Sequence, residues 1–442
     1  IYFSLLSLSV TGAVLADTPI GSRLIIIDRA AYADRMEGFW LGANIGNWTG
    51  RITEMDKIGG AGIHGDFYTR EDWGKPDLPS IWSEGKPSDI SPIIDFVLLA
   101  PGEVWGSDDD TDIEYMYQEY LFQNGLTKLS GEDVRQAWIT HIYDEQYPTP
   151  YGEADDVFEN YLWVSNQRAH ELMLEGVTPP ETSRPDLNPY WEMIDAQLTT
   201  EIFGLFAPAH PSLALELAKM PIQTTARGEA ALAAEFYVVM HALALSPSLK
   251  KMKKKDALFS MAEQARALLP EGSYTAGMFD FVKADYDRGI QWEEARDRLY
   301  QRYQIQQADG YDMTSRNLYC NGCFAAGINF GASLISLFYG EGDFKKTVKI
   351  GTLAGWDSDN PTATWAGLLG FMLGKVELEK IFGRQLSSEY YIHRTRKGFG
   401  NNGFDNFSAM AKKSVSIVDK IVEQKLNGSV DIIRNAWVFE IP

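Results

Sequence analysis

The chain has 442 residues, 45% hydrophobic and 12% aromatic, which is ample for a substantial core and unlike the composition of a disordered polymer. Its 61 acidic residues against 40 basic ones give a net charge of −21, and such a surface repels nucleic acid and anionic membranes, so neither is expected as a partner. The two cysteines and six histidines form no zinc-ligand spacing, no His-Glu-x-x-His helix and no nucleophile elbow, and no glycine-rich phosphate loop follows a strand.

In chain order, residues 1–16 form an apolar run ending Ala-Val-Leu-Ala before Asp17, a spacing of small residues that suits a signal-peptidase cut after Ala16. The segment therefore reads as a partial signal peptide and the protein as secreted, with a buried N-terminal strand as the other reading. No later stretch is long and apolar enough to span a bilayer, so no membrane is expected for the mature form. Residues 17–34 read as a lead-in. A helix of apolar and small residues is predicted over 36–45, broken by the glycines of 46–50, with Glu54 just beyond. The stretch 58–100 is rich in Gly, Pro, Trp and Asp and reads as long surface loops, which at that length are usually functional.

Asp108, Asp109 and Asp110 follow, and Ile113, Met116, Tyr117, Tyr120 and Leu121 recur at helical spacing behind them, so a helix starts near Asp109. Acids in a first turn complement the helix dipole. Three consecutive aspartates exceed what a cap requires, and a metal or basic partners account for them better. Helical patterning then continues over 131–143, 155–175, 190–206, 211–219 and 228–245, the last apolar all round and hence central. The lysine run 250–255 reads as a solvated face, and helices resume over 258–268, 274–286, 292–303, 324–339 and 344–353. Residues 355–363 (Gly-Trp-Asp-Ser-Asp-Asn-Pro-Thr-Ala) place Asp357, Asp359 and Asn360 at the mouth of a buried helix, with Pro361 in its first turn and Asp359 or Asn360 as the cap. Residues 437–441 are the best strand candidate. Cys320 and Cys323 close a small disulfide in an oxidising compartment or stay as buried thiols, and Asn47, Asn406 and Asn427 begin glycosylation sequons. The pattern is that of one large all-α domain.

Several segments, in order, are similar to the ADP-ribosylglycohydrolase family. Residues 38–54 (GFWLGANIGNWTGRITE) resemble its opening helix, Gly-Asp-x-x-Gly loop and following glutamate, and 108–111 resemble its Thr-Asp-Asp-Thr run. Residues 167–181 resemble a helix and proline turn, and 339–370 its C-terminal signature. The resemblance spans roughly 36–380 and implies an all-α helical bundle over 34–385; residues 386–442, beyond it, read as a C-terminal extension packing on the same domain. It further implies a pair of Mg²⁺ ions, with Mn²⁺ as an alternative, held by Asp108, Asp109, Asp110, Asp357, Asp359 and Asn360. Glu54 would gate or assist the site, and Asp109 or Asp110 would take a proton from water, an assignment the sequence leaves open. Asn47, Trp356 and Ser358 would face substrate. The implied activity is hydrolysis, by metal-activated water, of an ADP-ribosyl or related ribosyl or furanosyl linkage in a small molecule or an ADP-ribosylated substrate. This chain has Asn47 where the family has aspartate, Asp108 where threonine is usual, and Asn360 where threonine or serine is usual. Trp356 replaces a common glycine. A non-catalytic, metal-bound sugar- or nucleotide-binding protein of the same fold is the alternative, and a helical protein whose acids are only caps and ion pairs is a third reading.

Overall fold

The computed structural model describes residues 23–60, 66–80, 85–144, 160–312 and 322–441. The leader-like run 1–16, Cys320 and the first residues of the helix expected over 155–175 lie outside them. Among the described residues there are 15 α-helices and two three-stranded sheets. The helices are α1 (Arg29–Gly50), α2 (Asp109–Asn124), α3 (Gly131–His141), α4 (Val164–Leu174), α5 (Ile202–Phe206), α6 (Pro211–Thr225), α7 (Gly228–Leu243) and α8 (Lys254–Arg266). They continue with α9 (Tyr274–Asp287), α10 (Trp292–Leu299), α11 (Ala326–Gly340), α12 (Phe344–Ala354), α13 (Asp359–Leu373), α14 (Lys375–Phe382) and α15 (Phe407–Lys425). The all-α expectation holds.

Helix α1 starts where Asp28 accepts a hydrogen bond from the Ala31 amide at 2.7 Å, an N-cap. It then runs through the glycines expected to break it. Gly38, Gly42, Gly46 and Gly50 recur every fourth residue and so line one face. A Cβ at these positions would come within 2.3, 2.2, 2.5 and 2.5 Å of Gly370, Ala366, Thr362 and Asp359 backbone atoms respectively. The four glycines thus let α1 and α13 lie antiparallel at backbone contact, and their use is close approach rather than a turn. This packing carries the C-terminal end of α1 to the N-terminal end of α13. The second half of the molecule is built around α7 and α11, which are buried almost throughout; the apolar pattern predicted this for α7.

Two further sequence expectations fail. Residues 190–206 are not one helix but turns, a 3-10 turn at Ile194–Ala196 and the short α5. The Ile194 amide donates to the Phe324 carbonyl at 2.9 Å, the Glu192 carbonyl accepts from the Ala326 amide at 3.0 Å, and Met193 bridges to Ala325, so backbone groups a regular helix would need are spent on another segment. The lead-in also contains strand β1 (Arg23–Asp28), antiparallel to the C-terminal strand (Ala436–Ile441), with Ile25 opposite Phe439 and Ile27 opposite Trp437. The strand expected over 437–441 is therefore present. The lysines of 250–255 are exposed except Lys255, which pairs with Glu341. Cys323 is disulfide-bonded. The Asn47 sequon is buried inside α1 and inaccessible to glycosylation, whereas Asn427 is exposed. Among the described residues no helix is long and apolar enough to cross a membrane.

Candidate metal centre and active site

The acids at the starts of α2 and α13 do not cap those helices. Asp108 occupies the N-cap position of α2 in an extended conformation, yet its side chain makes no capping bond. Its Oδ1 accepts from Asn47 Nδ2 at 2.8 Å, and its Oδ2 faces Arg51 Nη1 at 3.4 Å. At α13 the cap position falls to Ser358, with Asp359 and Asn360 already in the first turn, so the expected capping by either residue is not found. Ser358 Oγ instead donates to the Gly50 carbonyl at 2.9 Å and lies 3.0 Å from Thr53 Oγ1. Both helix starts thus leave carboxylates pointed elsewhere.

The turn before α13 is locked to the segment after α1. The Met55 amide donates to the Trp356 carbonyl at 2.9 Å and the Trp356 amide to the Lys57 carbonyl at 2.7 Å. Trp356 adopts a left-handed φ of 57°, a conformation that costs a non-glycine residue about 1–2 kcal/mol and that this pairing holds in place. The Asp357 amide donates to Asn329 Oδ1 at 3.2 Å. Asn360 Nδ2 reaches Asp110 Oδ1 at 3.2 Å, joining two clusters 250 residues apart in sequence.

Six carboxylates therefore converge. One oxygen each from Glu54, Asp357 and Asp359 lies within 4.8 Å of the others, and the same holds for Asp108, Asp110 and Asp359. Asp359 belongs to both groups. Burial, then repulsion from neighbouring carboxylates, pushes the Glu54 carboxyl up to about 8, and Asp109, Asp110 and Asp357 well above the ordinary aspartate range. Asp359 rises to about 6, chiefly through burial, with Arg51 pulling the other way. Among the described residues no lysine or arginine forms an ion pair with Asp109, Asp110 or Asp357. Burying so many acids with so little cationic compensation is costly, and an all-oxygen, strongly anionic donor set of this kind fits a hard divalent cation. Asp112, by contrast, is a structural acid, paired at 2.9 Å with the equally buried Arg396.

Two cavities flank the cluster. The first, of about 460 Å³, is lined by Glu54, Asp109, Asp110, Asp357 and Asp359, with Trp163, Ile194, Leu198 and Phe324 as an apolar wall. Lys86 to Ile90, from the long loop expected to be functional, close part of its rim. The second, of about 560 Å³, holds Asp108, Trp48, Tyr161, Tyr391, His393 and Arg394, and shares Arg51, Asp89, Ile90, Asp109 and Trp163 with the first.

Of the residues expected at the site, Glu54, Asp108, Asp109, Asp110, Asp357, Asp359 and Asn360 come together. The three expected to face substrate do not line either cavity among the described residues. Asn47 is buried beneath Asp108, Ser358 is turned to Gly50, and Trp356 is fully buried against Phe67, with ring centroids 4.7 Å apart. Their positions support the carboxylates from behind. Sequence reasoning missed Arg51, Asp195 and the apolar wall. Asp195 lines the first cavity, accepts from Ser165 Oγ at 2.6 Å and the Asn166 amide at 3.0 Å, and is pushed up to about 6 by burial.

A family model described as ADP-ribosylglycohydrolase matches residues 28–396. A solved structure described as an "ADP-ribosylglycohydrolase-related protein complex" is similar at 14% identity and a TM-score of 0.47, covering 88% of this chain and 98% of that one. No curated protein matches the sequence. On the extent of the family match, this chain belongs to the ADP-ribosylglycohydrolase family.

Proposed function

We propose that the protein is a divalent-metal-dependent, exported glycoside hydrolase that cleaves an ADP-ribosyl or closely related ribosyl or furanosyl linkage. The observation that carries this reading is the convergence of two remote acidic helix starts on one cavity, with Asp359 common to both carboxylate groups. The two carboxylate groups, Glu54 with Asp357 and Asp359 and Asp108 with Asp110 and Asp359, are the candidate holders of the metal, with Mg²⁺ as the expected ion and Mn²⁺ as a substitute. A bound divalent ion supplies a fixed positive charge for sugar hydroxyls and lowers the pKa of water.

The chain's own groups supply the rest. Water adds at the anomeric carbon and the bond to the leaving atom breaks. One water proton passes to a carboxylate oxygen of Asp109 or Asp110; the leaving atom takes up a proton from solvent, and the carboxylic acid so formed returns its proton to solvent. The surrounding acids favour the positive charge that develops on the sugar ring. Trp163, Ile194, Leu198 and Phe324 offer an apolar face to the substrate and keep bulk water from it. The disulfide at Cys323 supports an oxidising, exported location, in keeping with the leader-like run at residues 1–16.

The test is a panel of ADP-ribosylated peptides and aryl ribofuranosides assayed with Mg²⁺ and with EDTA. Turnover that needs the metal and drops by roughly 100-fold or more in D109A or D110A, the size of effect a proton-transfer group provides, is expected. Metal-independent turnover, or full activity in both variants, would refute the reading.

A further inference from the structure

Three carboxylates drawn from both metal-capable groups already share a cation that the protein itself provides. Arg51 Nη1 lies 3.2 Å from Glu54 Oε2, 3.4 Å from Asp108 Oδ2 and 3.5 Å from Asp359 Oδ2. Asp108 is engaged at both oxygens, because its Oδ1 accepts from Asn47 Nδ2 at 2.8 Å. The two donors are built as a unit. They sit one turn apart at the end of α1, where the Arg51 amide donates to the Asn47 carbonyl at 2.8 Å. The glycine packing against α13 fixes that helix end beside Asp359.

We propose that Arg51 is a resident cation standing in for one of two divalent ions, so that the chain binds a single ion. The proposal rests on the reading of the cluster as a metal site. The ion is held on the side of Glu54, Asp357 and Asp359, and Asp108 serves as the counter-ion of Arg51 rather than as a ligand. The physical reason is like-charge repulsion. Arg51 touches members of both groups, so it leaves room for one ion rather than two, in surroundings where burial weakens screening. The Glu54 side is favoured because Asp357 has no basic partner among the described residues, whereas Asp108 is engaged at both oxygens and Asp110 Oδ1 by Asn360 Nδ2. A lysine could shed its proton to relieve that repulsion, whereas a guanidinium stays charged at every working pH. Asn47 contributes by spending an amide donor on Asp108 where a carboxylate would have added a ligand. Arg51 is thus a positioning residue that sets metal stoichiometry.

The experiment counts Mn²⁺ by equilibrium dialysis and reads its electron paramagnetic resonance spectrum, on the full chain and on R51M and R51K. Wild type is expected to bind one Mn²⁺ with the six-line spectrum of an isolated ion at every working pH, and R51K, whose ammonium can shed its proton, to admit a second ion as pH rises. R51M keeps the length of the side chain without its charge and is expected to bind a second, giving a spectrum broadened by coupling between neighbouring ions. A wild-type count of two with a coupled spectrum overturns the proposal while leaving the metal reading intact, and it does so even if R51M does not fold. An R51M count that stays at one with unchanged affinity overturns it as well. Saturable binding by none of the three proteins overturns both the proposal and the metal reading.

Discussion

At the residue scale, the chemistry of the site depends on carboxylates kept from water and from one another's charge only by what sits between them. Folding without metal raises Glu54 to about 8 and Asp359 to about 6, so the folded state retains protons that the unfolded chain has released. Stability from these groups is fully present below the ordinary carboxylate range and is lost as pH rises through 6 to 8. The denaturation midpoint of the metal-free protein should therefore fall between pH 5 and pH 8, and added Mg²⁺ should recover more of it at pH 8 than at pH 5. A flat profile in calorimetry would show that the acids are compensated in some other way. E54Q separates stability from binding, since it removes a charge that burial disfavours and also a ligand. It should melt higher than wild type at pH 8 without metal, yet bind Mn²⁺ more weakly in a titration. The aspartates of this cluster were legible because runs such as Asp-Asp-Asp and Asp-x-Asp exceed the needs of a helix cap. Arg51 and Asp195 were not, because a lone arginine or aspartate carries no local signal, and only the fold brings them to the cavity.

At the element scale, the contact between α1 and α13 is what turns two acidic runs into one site. The row Gly38, Gly42, Gly46 and Gly50 reads in sequence as apolar helix followed by a breaker, because glycine lowers helix propensity and the reason for tolerating it lies on the partner helix. A four-residue glycine period is a helix-face signal, and weighing it above propensity would have carried α1 to its true end. G46A tests the contact. Its Cβ would lie 2.5 Å from the Thr362 carbonyl oxygen and 2.6 Å from the Ala366 Cβ, neither of which can yield without moving α13. It should destabilise the protein by about 1–3 kcal/mol in chemical denaturation and weaken Mn²⁺ binding in parallel. Lost stability with unchanged metal affinity would mean that the helix contact does not set the site. The misread segment 190–206 has a similar origin. Its apolar spacing is helical, but backbone pairing of residues 192–194 with 324–326 breaks it into turns.

At the scale of the whole molecule, the segment following α14 reaches back to brace the site. Glu389–Tyr391 pairs with Val104–Trp105 just ahead of the aspartate run, and Arg396 pairs with Asp112 one turn into α2. Helix α15 ties the same region to α1, with Arg29 Nε donating to Asp419 Oδ1 at 2.9 Å and Lys413 pairing with Glu119 of α2. Removing one partner of a buried pair strands the other, so R396M should cost about 3–5 kcal/mol in denaturant unfolding, while R396M/D112L should recover much of it. These long-range pairings were invisible in sequence. Leu24 and Ile26 are 60% and 50% exposed on an edge strand, and a short alternating run beside a leader-like segment looks like a linker until its partner strand, Ala436–Ile441, is placed.

One titration addresses the union of the two acidic helix starts without any assumption about substrate. Metal-free wild type and D359N, which removes the carboxylate common to both groups, are each titrated with Mg²⁺ and Mn²⁺ by calorimetry. Wild type should show saturable binding, and D359N should bind roughly 100-fold more weakly or not at all, since even outer-shell partners of a metal are worth up to that factor. No saturable heat in wild type, or equal binding by D359N, would contradict a shared metal centre at this site.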